Sequence, residues 1–161
     1  SKVNFRLSKK NLLINTSYKA LSDKLIEKGI IDPSLSDVSS LVKEIRESKL
    51  PNYNQLGNAG SFFKNPVLKK KNFEKITNKY SSMPFYKMSE NEYKLPAAWL
   101  IEKCGFKDIS ENKVGVYKNQ SLVIINKGGA TGSDIYNFSQ KIKQEVKNKF
   151  DILLEEEVNI I

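Results

Sequence analysis

Apolar positions along the chain fall into short runs whose spacing changes several times. Val3, Phe5 and Leu7 alternate with Asn4 and Arg6, a period of two that predicts a half-buried strand. From Ser17 the period lengthens, and a helix is predicted up to Gly29 with Leu21, Leu25 and Ile26 inward. After the Asp32-Pro33-Ser34 turn, Val38, Leu41, Val42 and Ile45 mark one helical face, with Ser36 as the expected N-cap. Leu50-Pro51 ends that helix, because a residue preceding proline avoids the α region. A boundary is expected there.

From Pro51 to Pro66 the pattern dissolves into PNYNQLGNAGSFFKNP, a non-periodic stretch long enough to predict a functional loop. A short helix with Phe73, Ile76 and Tyr80 inward follows, and Met83-Pro84 breaks it. Tyr86 to Leu95 reads as extended, and Pro96 opens a helix through Ala97-Ala98-Trp99-Leu100-Ile101 that Gly105 closes. Val114-Gly115-Val116 and Ser121 to Ile125 read as two strands of a hairpin. Past the Gly128-Gly129-Ala130-Thr131-Gly132 turn, a helix from Ser133 buries Ile135, Phe138, Ile142, Val146 and Phe150. Ile152 to Ile161 reads as extended. Strands and helices mix without βαβ regularity, so the expected class is α+β.

Composition narrows the chemistry. The chain has 161 residues, and 27 Lys plus Arg against 18 Asp plus Glu give a net charge of +9. It has no His, and Cys104 is its lone cysteine. That excludes an internal disulfide, a Cys/His zinc site and a Ser-His-Asp or Cys-His nucleophile, and no metal is expected. No apolar run approaches the roughly 20 residues of a membrane span, and SKVNFRLSKK lacks the apolar core of a signal peptide. The positive charge suits a polyanion, but Arg6 and Arg46 are the only arginines, which argues against base reading. Two or three lysines converging on a phosphorylated small molecule also fit. Phe62, Phe63 and Trp99 are expected in the core and not as base-stacking platforms. No nucleic-acid or membrane partner is expected.

The stretch Gly57-Asn58-Ala59-Gly60-Ser61-Phe62-Phe63-Lys64-Asn65-Pro66 is neither a Walker loop nor GxGxxG. It resembles the active-site loop of the UDP-N-acetylenolpyruvoylglucosamine reductase (UDP-N-acetylmuramate dehydrogenase) family. Further segments match in order. They are Arg46-x-x-Lys49-Leu50-Pro51, Lys94-Leu95-Pro96-Ala97-Ala98-Trp99-Leu100-Ile101-Glu102-x-Cys104-Gly105, Asn119-Gln120-x-Leu122-Val123, Gly128 to Gly132 and Leu154-Glu155-x-Glu157-Val158.

The resemblance implies a C-terminal portion of a multidomain flavoenzyme of peptidoglycan precursor synthesis, cytoplasmic and bacterial. Residues 1–50 would be the tail of the FAD-binding domain, 51–150 the substrate-binding domain, and 151–161 a strand returning towards the flavin. The FAD-binding region, with an arginine that helps polarise the substrate, would lie upstream. In the family, NADPH reduces FAD and the flavin reduces UDP-N-acetylglucosamine enolpyruvate. FAD and NADPH would belong to the full-length parent, with none expected on this portion, which would not turn over alone.

On its residues alone Ser61 reads as a turn hydroxyl bonding its own backbone; the family motifs turn that reading to the family's proton donor. Glu157 matches the second catalytic residue, and its apolar flanks predict a buried carboxyl with a raised pKa, the alternative being a solvated acidic turn with Glu155 and Glu156. Lys49, Asn65, Tyr86, Lys107 and Gln120 would line the UDP-sugar pocket, and Arg46 would meet the FAD phosphates. The lysines could instead be solvated, Tyr86 packed, Gln120 a hairpin residue and Arg46 a helix charge. Asn159 departs from the basic residue usual in the family two positions after the glutamate. The alternative reading is a basic polyanion-binding module without catalysis.

Overall fold

The computed structural model describes residues 2–8 and 13–161. They form two compact units, 1–48 and 49–161. In the first, α1 (Lys19–Glu27) and α2 (Leu35–Lys49) bury Leu21 and Leu25 against Leu41 and Ile45, with Ala20, Ile30 and Val38 around them. Gly29, at φ +66°, ends α1 in the left-handed region that glycine adopts without strain. The backbone N–H of Ile30 then reaches back to the Leu25 carbonyl at 2.9 Å.

Three expectations in this unit are corrected. Ile26 is 76% exposed, because a two-helix layer buries a narrow stripe that Leu21 and Leu25 already fill. The α2 cap is Ser34, not Ser36. The Ser34 hydroxyl accepts from Asp37 N at 3.2 Å and Asp37 Oδ2 accepts from Ser34 N at 2.9 Å, a reciprocal capping box. Val3, Phe5 and Leu7 are exposed and in no strand. Alternation selects a face but supplies no partner, and no described strand pairs with theirs.

The second unit is α+β. An antiparallel sheet runs in the order β1 (Gly57–Ser61), β7 (Gln120–Asn126), β6 (Val114–Tyr117), β5 (Ser110–Glu111). A smaller one runs β2 (Val67–Lys69), β4 (Glu92–Lys94), β3 (Tyr86–Lys87). Helices α3 (Lys70–Lys79), α4 (Ala97–Lys103) and α5 (Gly132–Phe150) complete it. One core joins them: Phe63, Leu95, Leu100, Ile101, Val116, Ile142, Val146 and Leu154 are all at most 1% exposed. Phe62 and Phe63 belong to it, edge to face at 5.1 Å between centroids, and Trp99 packs against it. Cys104 is half-buried at its margin, and burial pushes its thiol pKa up.

The non-periodic stretch 51–66 holds an edge strand, β1, instead of an open loop. Its register slips between Asn58 and Ser61, so no strict alternation could appear in its sequence. The extended stretch Tyr86 to Leu95 is two strands around a turn, and residues 151–161 make one isolated bridge, Phe63 with Glu156, and no strand. Helix α5 begins at Gly132, one residue before the expected Ser133, on a Thr131–Asp134 capping box. Among the described residues, no helix is long and apolar enough to cross a membrane.

Candidate active site

The slip in β1 starts at two residues. Asn58 accepts from Gly60 N at 3.0 Å and donates to Leu56 O at 2.9 Å, and Gly60 takes φ +75°. A Cβ at position 60 would meet no atom within 4 Å, so backbone conformation alone demands glycine there. Ser61 then pairs with Val123 of β7. It is half-buried, and its hydroxyl bonds to no described residue, its own backbone included.

Beyond Ser61 the chain is flanked on both sides. Phe62 N donates to Leu122 O at 2.8 Å, Glu157 N donates to Phe62 O at 2.9 Å, and Lys64 N donates to Glu155 O at 2.9 Å. Strand β7, residues 61–64 and residues 155–157 therefore lie side by side. This brings the backbone of Glu157 to the residue next to Ser61. Gln120, two residues before Leu122, is half-buried at the start of β7.

The burial expected for Glu157 is overturned: it is exposed. The C-terminal segment alternates, turning Ile152, Leu154 and Glu156 inward and Leu153, Glu155 and Glu157 outward. Burial falls one residue earlier, on Glu156. Lys143 on α5 approaches its carboxylate at 2.7 and 2.9 Å, and Gln140 Nε2 donates to it at 3.0 Å. Burial pushes that carboxyl up, but the bonds from Lys143 and Gln140 prevail and its pKa lies below the ordinary value. On the outward side, a hydrogen bond to Glu155 raises the Lys64 pKa, and Glu157 adds to it. Lys64 is thus a cation already paired with Glu155, three residues beyond Ser61.

Asn65 has a structural duty that sequence reasoning missed. Its Oδ1 accepts from Ala97 N at 2.8 Å, at the start of α4. Pro96 stands in the N-cap position and offers no side-chain acceptor, so α4 draws its cap from another segment. A helix opened by proline with no Ser, Thr, Asp or Asn before it was the available signal. The Asn65 amide nitrogen bonds to no described residue and remains free to donate.

Lys107 follows α4, exposed, with Nζ 3.6 Å from Glu102 Oε2. Glu102 Oε1 accepts from Ser121 Oγ at 2.9 Å, and Ser121 adjoins Gln120. Tyr86 is 62% exposed on β3 opposite Lys94, and it bonds to neither Ser61 nor Gln120. Arg46 is exposed on α2 and Lys49 ends that helix half-buried. An open groove of roughly 890 Å³ between α5 and the C-terminal segment is lined by Ala59, Phe62, Tyr136, Lys143, Glu156 and Asn159, and by none of the expected ligands. Among the described residues, no three His, Cys, Asp or Glu side chains could hold a metal ion.

Comparison with known proteins decides the family. Residues 51–161 match the family model described as UDP-N-acetylenolpyruvoylglucosamine reductase, C-terminal domain. The chain belongs to this family. A UDP-N-acetylenolpyruvoylglucosamine reductase of Flavobacterium johnsoniae is 49% identical over 157 residues, which is 98% of this chain and 47% of that protein. The Porphyromonas gingivalis reductase is 44% identical, over 89% of this chain and 42% of its own length. The Pseudomonas aeruginosa reductase is 37% identical, over 99% of this chain and 47% of its own length. The chain thus spans about half the length of the curated relatives it matches.

Proposed function

We propose that this chain supplies the UDP-sugar pocket and the proton donor of a flavin-dependent reductase that converts UDP-N-acetylglucosamine enolpyruvate to UDP-N-acetylmuramate in bacterial peptidoglycan precursor synthesis. Residues 51–150 are read as the substrate-binding domain, 1–50 as the tail of an FAD-binding domain, and 151–161 as the segment that returns to it. The observation that supports this most is the bond from Glu157 N to Phe62 O, which sets the two motif residues at neighbouring positions.

FAD, reduced by NADPH and bound mainly by an upstream domain, would supply the hydride that C3 of the enolpyruvyl ether receives. From this chain, Arg46 fits its phosphates: the guanidinium is exposed and makes no ion pair with a described residue. Negative charge then develops on C2 and the adjacent carboxylate, and C2 needs a proton. Ser61 is read as its source. Its unbonded, half-buried hydroxyl is available, and the backbone around it is fixed by β7 on one side and residues 155–157 on the other.

Glu157, exposed, is read as meeting the substrate from solvent. Asn65 donates its free amide N–H, Gln120 offers its amide, and Lys49, Tyr86 and Lys107 approach the carboxylate and diphosphate. Without the remaining half of the enzyme, the chain binds UDP-sugar weakly and does not turn over.

Titration of UDP-N-acetylglucosamine into isotopically labelled chain tests this reading. Resonance shifts confined to Lys49, Ser61, Asn65, Tyr86, Lys107 and Gln120 are expected. Equal binding of any polyanion, lost at modest salt, would instead support a basic module without catalysis.

A further inference from the structure

Ser121 and Ser139 are the buried polar side chains among the described residues, at 1% and 0% exposure. Ser139 solves its burial within its own helix, donating to Tyr136 O at 2.7 Å. Ser121 does not. Its hydroxyl donates across to another element, to Glu102 Oε1 on α4. Burying a hydroxyl is costly unless it is bonded, and a bond to a carboxylate is stronger than one between neutral groups. Ser121 therefore fixes where the Glu102 carboxylate sits.

The other Glu102 oxygen faces Lys107 Nζ at 3.6 Å. An exposed lysine pair of that length is worth little by itself, because a four-carbon stem loses entropy when it is held. Here the acceptor is already immobilised from behind, so only the lysine pays for the contact. One carboxylate thus ties Lys107 to the residue adjoining Gln120.

We infer that Glu102 and Ser121 are positioning residues that hold the Lys107 ammonium beside the start of β7, where it meets the diphosphate of the UDP-sugar. The inference rests on the reading under Proposed function. Neither residue touches the ligand. The long Lys107–Glu102 separation lets the ammonium turn to a phosphate oxygen without breaking a strong bond, while Ser121 keeps the carboxylate tethered away from that anion.

The test uses the whole chain and UDP as the probe, followed by calorimetry and by side-chain lysine resonances. Ser121→Ala and Glu102→Gln are expected to move the Lys107 ε-methylene resonances. Each is expected to weaken UDP binding by about 3- to 5-fold, the upper range for one exposed charge contact. Uridine, which lacks phosphate, binds unchanged. In a Lys107→Met background, Ser121→Ala adds less than about twofold, the signature of residues acting through one another.

Glu102→Gln keeps an acceptor for Ser121 and serves if Ser121→Ala fails to fold. Equal losses for UDP and uridine, additive losses in the double variant, or UDP affinity unchanged in both single variants overturns the inference. If the unaltered chain does not bind UDP, the pocket reading falls and the inference with it. UDP binding that is indifferent to Ser121 and Glu102 overturns the inference alone.

Discussion

Lys143 and Glu156 form the least exposed ion pair among the described residues, with side chains 16% and 19% exposed and Nζ 2.7 Å from Oε1. This contact clips α5 to the segment that carries Glu157. Glu156 also forms the bridge with Phe63, so the same residue ties the C-terminal segment to the stretch beyond Ser61.

Removing one partner leaves the other charge partly buried. Lys143→Met is expected to destabilise the chain by about 1–3 kcal/mol, well above the cost of an exposed pair. Urea unfolding of the variant against the parent chain measures it, and a change below about 0.5 kcal/mol would place the clip with ordinary surface pairs.

The same pair sets a pH dependence. Because the folded Glu156 carboxyl lies below its ordinary value, its stabilisation is complete above the unfolded pKa, about 4.3. It disappears as pH falls through the lower folded value. The stability gap between the chain and Glu156→Gln should therefore narrow between neutral pH and about pH 3. A gap that widens on acidification contradicts the sign.

Gly60→Ala isolates backbone strain, because no atom waits within 4 Å of the new Cβ. A cost of about 1–2 kcal/mol is expected, with Gly60→Asn milder because Asn enters the left-handed region more readily. Equal costs for Ala and Asn would mean that the conformation at φ +75° is not what glycine provides.

Thr131→Ala removes the side-chain half of the α5 capping box, in which Thr131 Oγ1 accepts from Asp134 N at 3.2 Å. A loss of about 0.5–2 kcal/mol is expected, and Thr131→Ser should recover most of it. Thermal unfolding of the three proteins checks the order.

Periodicity located the helices well because each buries a stripe of its own side chains: Phe73 and Ile76, Leu100 and Ile101, Phe138, Ile142 and Val146. Short strands were harder to read. β2, β3 and β5 have two or three residues each, too few for alternation to register, and the bulge erased it from β1. The family was legible because whole motifs stand intact in order. The burial of Glu157 was misread because apolar neighbours do not say which of three consecutive glutamates turns inward; the two-residue period running from Ile152 does. Asn65 capping α4 and Ser121 holding Glu102 span 32 and 19 residues, distances at which sequence pattern carries no signal for a single side-chain bond.

Under the proposed function, the Ser61 hydroxyl is the group that protonates C2 of the substrate. In the full-length reductase carrying Ser61→Ala, stopped-flow absorbance should show flavin reduction by NADPH within about twofold of the unaltered enzyme. Reoxidation by the enolpyruvyl substrate should slow by at least about 100-fold, the scale of one lost proton donor. Reoxidation at the normal rate, or both half-reactions falling together, would contradict the assignment.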